Sequence, residues 1–238
     1  MSKIQSVFKR FEKKYMIPEE KYDALLDVLN EHMTVDEYGV HTICNIYYDT
    51  EHDELIRNSL DKPIYKEKLR LRSYGVPSMD SKVFLEIKKK FKGIVYKRRM
   101  VMNLKTAKEF TEEGIPLREQ TQISNELTYF MEFYQPIPKL FIAYDRFAMF
   151  GNEDSEVRIT FDSNIRSRDY DLGLEYGDYG ELLLEENYHL MEIKIAGAMP
   201  LWLSALLNDL EIYPTSFSKY GNIYKKRLQE TKGGILYV

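Results

Sequence analysis

The sequence predicts an α+β fold, in which an antiparallel sheet is joined by helical connections. Two observations carry this prediction. Apolar and polar residues alternate over most of the first half of the chain, as they do in half-buried strands. Stretches with helical spacing separate these segments, and glycines mark many of the boundaries. No composition shift or low-complexity linker indicates a second domain, so we interpret residues 1–238 as a single domain.

The elements follow from the same patterns in chain order. A helix at 18–33 is predicted because it opens with Pro-Glu-Glu, and Thr50 and Ser216 are candidate N-caps for two later helices. A short link around Gly93 joins two strands as a hairpin. Strands are predicted at 6–17, 41–49, 64–74, 82–90, 94–104, 139–150, 156–163, 166–172 and 182–195, the last in one or two pieces, and helices at 18–33, 50–58, 106–113, 122–134, 200–210 and 216–228.

Charge and cysteine content exclude several classes of protein. The chain has 34 Lys and Arg against 38 Asp and Glu, a net charge of -4, so its overall charge does not favour nucleic acid or anionic membranes. Any anion site must therefore be local. Cys44 is the single cysteine, which excludes an intrachain disulfide and a cysteine-cluster metal site. With no signal peptide and no apolar run of about 20 residues, we expect a cytoplasmic protein.

The polar faces of the strands carry an unusual excess of cations. In the segment 66–72, Lys66, Lys68, Arg70 and Arg72 project to one side, because successive side chains of a strand alternate between its two faces. Leu69 and Leu71 project to the other side. The arrangement recurs on six further strands, with sparse carboxylates among the cations: Arg10, Glu12 and Lys14; Glu86, Lys88 and Lys90; Lys97 and Arg99; Tyr144 and Arg146; Arg158, Thr160 and Asp162; Glu192 and Lys194.

Like charges on neighbouring strands repel, so such a sheet needs open water or a bound polyanion. Closing it into a barrel would place the cations inside and leave the apolar face to be covered by helices. Lys and Arg would then bind phosphoryl oxygens, and the few carboxylates would hold a divalent metal. The alternative is that these residues form the solvated outer face of a two-layer sheet. Seven such strands in an acidic chain favour the enclosed basic site.

Nine short motifs follow one another along the chain: Arg10-Phe-Glu-Lys-Lys14-Tyr, Ile46-Tyr-Tyr-Asp-Thr50, Lys68-Leu-Arg-Leu-Arg72, Leu85-Glu-Ile-Lys88, Val95-Tyr-Lys-Arg-Arg99, Ala143-Tyr-Asp-Arg146, Val157-Arg-Ile-Thr-Phe-Asp162, Met191-Glu-Ile-Lys194 and Phe217-Ser-Lys-Tyr220. Their order resembles the VTC domain, the polyphosphate polymerase domain of the vacuolar transporter chaperone complex, within the triphosphate tunnel metalloenzymes (CYTH-like proteins). The resemblance extends from about residue 5 to residue 228.

The resemblance implies an antiparallel eight-stranded β tunnel barrel with a basic interior and helices packed on the outside. It also implies a divalent metal, Mn²⁺ or Mg²⁺. We expect catalytic roles for Lys88, Arg146 and Glu192. Glu192 matches the metal ligand, with Glu12, Glu86 and Asp162 as further candidates. The resemblance also implies phosphate-binding residues, and the basic strand faces add Lys68 and Lys194 to them. The full expected set is Lys14, Lys68, Arg70, Arg72, Lys88, Lys97, Arg99, Tyr144, Arg146, Arg158, Lys194, Ser218 and Lys219.

The activity that the resemblance implies is transfer of the terminal phosphoryl group of ATP to a growing polyphosphate chain. A triphosphatase is one alternative, although its family motif Glu-x-Glu-x-Lys is replaced here by Arg10-Phe-Glu12-Lys-Lys14, with a cation in the first position. A non-catalytic polyphosphate or nucleotide-binding module is the other. Lys97 and Arg98 would exchange faces if the strand contained a bulge, so their assignment stays open.

The implied partners are ATP or another triphosphate and polyphosphate, without nucleic acid and without direct insertion into a membrane. The eukaryotic complexes add a phosphate-sensing SPX domain and membrane helices, and neither occurs in this sequence. A membrane-protein partner would therefore be needed to translocate the product. The sequence leaves the oligomeric state open.

Overall fold

The computed structural model describes residues 11–92, 94–184 and 187–234, with side chains up to residue 230. Within these residues the chain forms eleven strands and six helices. The strands are β1 (Phe11–Pro18), β2 (Met33–Val35), β3 (His41–Asp49), β4 (Tyr65–Tyr74), β5 (Lys82–Phe91), β6 (Ile94–Asn103), β7 (Ile137–Gly151), β8 (Arg158–Arg168), β9 (Glu181–Leu182), β10 (Tyr188–Ile195) and β11 (Pro214–Thr215). The helices are α1 (Glu19–His32), α2 (Glu54–Leu60), α3 (Leu104–Glu112), α4 (Gln122–Tyr134), α5 (Leu201–Asp209) and α6 (Lys219–Gly234).

The predicted α+β class with antiparallel strand pairing is confirmed, but the predicted number of eight strands is wrong, since eleven are described. The predicted strands at 156–163 and 166–172 are one strand, β8. Asn164 continues that strand with a φ of 47°, a left-handed conformation that asparagine tolerates better than most residues. The predicted strand at 182–195 is divided into β9 and β10. Arg10 and Gly93 lie outside the described residues.

The chain divides into two compact units. The first comprises the described residues within Met1–Thr42, Tyr144–Ile165 and Leu182–Phe217. Its hydrogen-bonded strand order is β11-β1-β10-β8-β7, and β2 pairs with the end of β7. The register aligns Lys14 with Glu192 and Glu192 with Thr160, so polar residues of β1, β10 and β8 lie in rows.

The second unit comprises the described residues within Ile43–Ala143, Arg166–Glu181 and Ser218–Val238. Its strand order is β7-β3-β4-β5-β6. Neither order closes on itself among the described residues of its own unit, so neither unit alone forms the predicted barrel.

Each unit has its own apolar core beneath helices, as the sequence predicts for the apolar faces. In the first unit, Leu25 of α1 and Leu203 of α5 are buried in the same cluster as Ile159 and Ile193 of the sheet. In the second unit, Phe110 of α3 and Phe130 of α4 are buried with apolar residues of β3, β4 and β5. Because the helices occupy the apolar faces, the charged strand faces point away from both cores.

Two helices begin three or four residues later than the sequence predicts. The helix predicted at 50–58 begins at Glu54, because Asp49 accepts hydrogen bonds from the backbone of Leu55 and Ile56 at 2.8 and 2.9 Å. The helix predicted at 216–228 begins at Lys219. Ser218 caps this helix, since its hydroxyl accepts a hydrogen bond from the Gly221 amide at 3.2 Å. The predicted cap at Ser216 is therefore wrong.

Every helix in the described part of the chain is too short or too polar to cross a bilayer.

Candidate functional site

The strands of the second unit gather cations on one surface, which we call the second-unit basic face. The pairing of β4, β5 and β6 aligns Lys68 with Lys88 and Lys88 with Lys97, so that three lysines form one row across three strands. Lys66 lies opposite Lys90 in the next row. Neighbouring like charges repel, so this row needs either open water or a bound anion to offset the repulsion. The full face consists of Lys66, Lys68, Arg70, Arg72, Glu86, Lys88, Lys90, Lys97 and Arg99.

Glu86 is the central carboxylate of this face and is only 1% exposed. Arg70 contacts one of its oxygens at 2.7 Å, and both Lys97 and Arg99 contact the other, at 2.7 and 2.5 Å. Burial opposes ionisation of Glu86, but Arg70, Arg72 and Lys97 outweigh it and hold the pKa of the carboxyl well below its usual range. Glu86 is therefore an anion that fixes three cations in place.

The crowding of cations also lowers lysine pKa values. Burial lowers the pKa of Lys97 to about 8, and repulsion from Arg99 and Arg70 adds to this shift while Glu86 opposes it. Burial also lowers the pKa of Lys66, with Lys90 contributing next. A bound anion would raise the pKa of these lysines, so anion binding and protonation favour each other.

The register settles which of two adjacent cations belongs to the face. Lys97 is paired with Lys88 and contacts Glu86. Arg98 projects to the opposite side, where it and Lys89 contact Glu126 at 3.4 and 3.0 Å. Residues 97 to 99 alternate regularly along β6, so Lys97 is the basic-face residue and Arg98 is not.

A second charged surface, the first-unit basic face, is formed by β1, β10, β8 and the end of β7. Lys14 lies 3.7 Å from Glu192 and 3.8 Å from Glu12, and Lys194 forms an ion pair with Glu192. Burial opposes ionisation of Glu192, but Lys194 and Lys14 outweigh it, and the pKa of the carboxyl lies well below its usual range. The face consists of Glu12, Lys14, Tyr144, Arg146, Arg158, Thr160, Asp162, Glu192 and Lys194.

Arg146 is the most constrained cation of this face. Its guanidinium makes a two-pronged contact with Asp162, at 2.6 and 2.8 Å, and Asp162 is 1% exposed. The Arg146 guanidinium also lies 5.1 Å from the ring centre of Tyr144. This fork geometry holds the guanidinium in a fixed orientation on the sheet.

The carboxylates differ in what they could offer to a metal. Among the described residues, no group of three or more His, Cys, Asp and Glu could hold an ion. Both oxygens of Glu86 and of Asp162 already accept from cations. Glu192 also contacts a cation through each oxygen, Lys194 at one and Lys14 at 3.7 Å from the other, and Glu12 lies 3.8 Å from the same Lys14. A metal held by Glu12 and Glu192 would have to displace Lys14 and take its remaining ligands from phosphate oxygens and water.

The remaining predicted residues lie as follows. Arg72 is on the second-unit basic face but is buried, and its Nε donates to Asn45 at 2.9 Å. Ser218 and Lys219 form the start of α6 in the second unit. The ammonium of Lys14 donates to the carbonyl of Phe217 at 3.1 Å. The sequence prediction missed Tyr47, which lies on β3 directly opposite Arg70.

The chain shares its fold with solved structures at low sequence identity. A candidate adenylate cyclase from Vibrio parahaemolyticus is 15% identical, with a TM-score of 0.54, and the match covers 92% of this chain and 99% of the other. One from Bacillus halodurans is 13% identical, with a TM-score of 0.56 and coverages of 90% and 96%. A candidate adenylyl cyclase from Hippeastrum, reported to have a dominant triphosphatase activity, is 16% identical, with a TM-score of 0.54 and coverages of 90% and 95%.

These similarities define the class of fold, and the family follows from the sequence itself. The model of the VTC domain matches residues 9–227. The chain therefore belongs to the VTC domain family, as the motif order predicts. No curated protein matches it.

Proposed function

We propose that this protein is a metal-dependent polyphosphate polymerase that transfers the terminal phosphoryl group of ATP to a polyphosphate chain. The observation that carries the proposal is the cross-strand row of Lys68, Lys88 and Lys97, beside the guanidinium groups that Glu86 holds in place. Such a row suits a linear polyanion with a negative charge on every phosphate. Membership of the VTC domain family supports polyphosphate as that anion.

The proposed reaction breaks the bond between the terminal phosphorus of ATP and its bridging oxygen, and ADP leaves. A terminal oxygen of the polyphosphate chain forms the new bond to phosphorus. Phosphoryl transfer of this kind needs in-line positioning and neutralisation of charge more than a covalent partner. On the second unit, Lys88 and Lys97 would bind phosphate oxygens. On the first unit, Arg146 donates to Asp162 through Nε and Nη2, and its remaining N–H groups would bind a phosphate oxygen.

A divalent metal, Mn²⁺ or Mg²⁺, would neutralise phosphate oxygens when bound. Glu192 is the proposed ligand, with Glu12 beside it. We do not assign Glu86 or Asp162 to the metal, because each is only 1% exposed and cations hold both of its oxygens at 2.8 Å or closer. Glu192 is held less tightly, since Lys14 lies 3.7 Å from one of its oxygens. In this proposed function the whole chain is one functional domain in the cytoplasm, and a membrane protein receives the polyphosphate product.

Hydrolysis of triphosphate is the second candidate, in which water replaces the polyphosphate acceptor. The activity reported for the Hippeastrum protein favours it. The same cations would bind the substrate, so the two candidates differ in the acceptor and in the products.

Incubation with ATP and Mn²⁺, with and without a short polyphosphate primer, tests the proposal. We expect a ladder of polyphosphate on a gel, and we expect Lys88→Ala and Glu192→Gln to lose it while Arg98→Ala retains it. Arg98 is the matched control because it projects to the opposite face of β6. Free phosphate without a ladder would support the hydrolase. The absence of both products would contradict both the polymerase and the hydrolase.

A further inference from the structure

Tyr47 occupies an unassigned position on the second-unit basic face. It lies on β3, and the register places it opposite Arg70 on β4. From Arg70 the same row continues to Glu86 and Arg99. The side chain of Tyr47 is partly exposed, and its ring centre lies 5.3 Å from that of Tyr220 on α6. A phenol therefore stands at the β3 end of a row of guanidinium groups.

The hydrogen bonds of Tyr47 leave its proton without an acceptor. Arg70 donates to the phenolic oxygen at 3.4 Å, while its Nε donates to Glu86 at 2.7 Å. A tyrosine hydroxyl accepts and also donates one hydrogen bond. Among the described residues, no group accepts the proton of Tyr47. This donor lies beside Arg70 on the second-unit basic face, where the proposed function places phosphate oxygens.

The charges around Tyr47 make its hydroxyl a stronger donor than an ordinary phenol. Burial opposes ionisation, but the charge and hydrogen bond of Arg70, followed by the charges of Arg72 and Lys68, outweigh it and lower the pKa of Tyr47 to about 8. On the α6 side, Tyr220 faces Tyr47 and donates its own proton to Asp49 at 3.1 Å. At pH 7 Tyr47 is protonated and able to donate.

We propose that Tyr47 is a further substrate-binding residue, which donates its phenolic proton to a phosphoryl oxygen of the chain held along the second-unit basic face. This inference rests on the proposed function and adds a neutral donor to a site otherwise made of cations. The adjacent Tyr48 points to the other side of β3, where it is 2% exposed and hydrogen-bonded to Thr111 at 3.2 Å. Tyr48 is thus excluded from the face that Tyr47 serves.

The test compares Tyr47→Phe with Tyr48→Phe by calorimetric titration with inorganic tripolyphosphate at fixed salt. Both changes remove one hydroxyl and keep the ring. At pH 7 we expect Tyr47→Phe to bind about tenfold more weakly than the wild type, as for loss of a hydrogen bond to a charged group, with an unchanged melting temperature. We expect Tyr48→Phe to keep wild-type affinity and to melt at a lower temperature, because its Thr111 partner is buried.

A second titration at pH 9 adds a readout that a structural role would not change. Ionised Tyr47 cannot donate and repels phosphate, so the advantage of the wild type over Tyr47→Phe should disappear or reverse. Lys97, whose pKa is also lowered to about 8, loses charge at pH 9 in both proteins. This loss therefore cancels in the ratio of the two affinities for tripolyphosphate.

Equal affinities of the wild type and Tyr47→Phe at pH 7 would overturn the inference and leave the proposed function intact. A wild-type protein that binds no tripolyphosphate would overturn the proposed function, and this inference with it.

Discussion

Replacing Arg146 with alanine is expected to destabilise the protein by about 3–5 kcal/mol, the usual cost of removing one partner of a buried ion pair. Asp162 is almost fully buried, and both of its oxygens accept from Arg146. The change would remove the guanidinium that contacts both oxygens of this buried carboxylate. Urea unfolding at pH 7 measures the effect, and a loss below about 1 kcal/mol would contradict this account of the pair.

The size of this effect complicates a test of Arg146 in catalysis, since Arg146→Ala would lose activity through unfolding alone. The double variant Arg146→Met with Asp162→Leu separates the two roles. Replacing a buried ion pair with apolar residues of similar size is often neutral or stabilising, so we expect this variant to fold. A folded double variant without activity would support a role for Arg146 in catalysis, whereas an active one would exclude it.

Glu86→Gln is expected to have the second large effect, a loss of about 3 kcal/mol. Glutamine has nearly the shape of glutamate but no charge, so Arg70, Lys97 and Arg99 would repel one another without their common anion. Tripolyphosphate should restore much of the lost stability, because it supplies negative charge to the same cations. Thermal melting with and without millimolar tripolyphosphate measures both effects.

Glu126→Gln is the matched control for this prediction. Glu126 also joins two cations, Lys89 and Arg98, but on the opposite side of the strands and with greater exposure. We expect it to lose less than about 1 kcal/mol, as exposed ion pairs do. A phosphate site at Glu86 would be contradicted if tripolyphosphate raised the melting temperature of Glu86→Gln no more than that of Glu126→Gln.

The depressed pKa of Glu86 also fixes the sign of its pH dependence. A carboxyl whose pKa is lower in the folded state contributes stability above its unfolded pKa of about 4.3 and loses that contribution as the pH falls towards the folded value. The difference in stability between the wild type and Glu86→Gln should therefore be full at pH 7 and shrink below about pH 4.

The charged faces could be predicted from the sequence because strand geometry leaves little freedom. Once 66–72 and 97–99 are strands, the alternation of side chains places Lys68, Arg70, Lys97 and Arg99 on defined faces, and the structure has them there. The apolar residues between them likewise form the helix-covered side.

The contacts within each face could not be predicted, because they depend on the register between paired strands, which the pattern within a single strand does not fix. Nothing in the segment around Glu86 indicates that three cations from β4 and β6 meet there. Tyr47 was missed for a related reason. It is followed by a second tyrosine, Tyr48, so alternation of apolar and polar residues does not distinguish their faces. The pairing of β3 with β4 distinguishes the two faces, because it places Tyr47 opposite Arg70 and Tyr48 opposite Leu69.

The central claim, that the second-unit basic face binds the phosphate chain, is tested most directly with two adjacent lysines. Lys88 lies on this face between Lys68 and Lys97, whereas Lys89 lies on the opposite side with Glu126. The measurement is the affinity for inorganic tripolyphosphate of the wild type, Lys88→Ala and Lys89→Ala at one salt concentration. We predict at least about tenfold weaker binding for Lys88→Ala and near wild-type binding for Lys89→Ala. Equal effects of the two changes, or no effect of either, would contradict the claim.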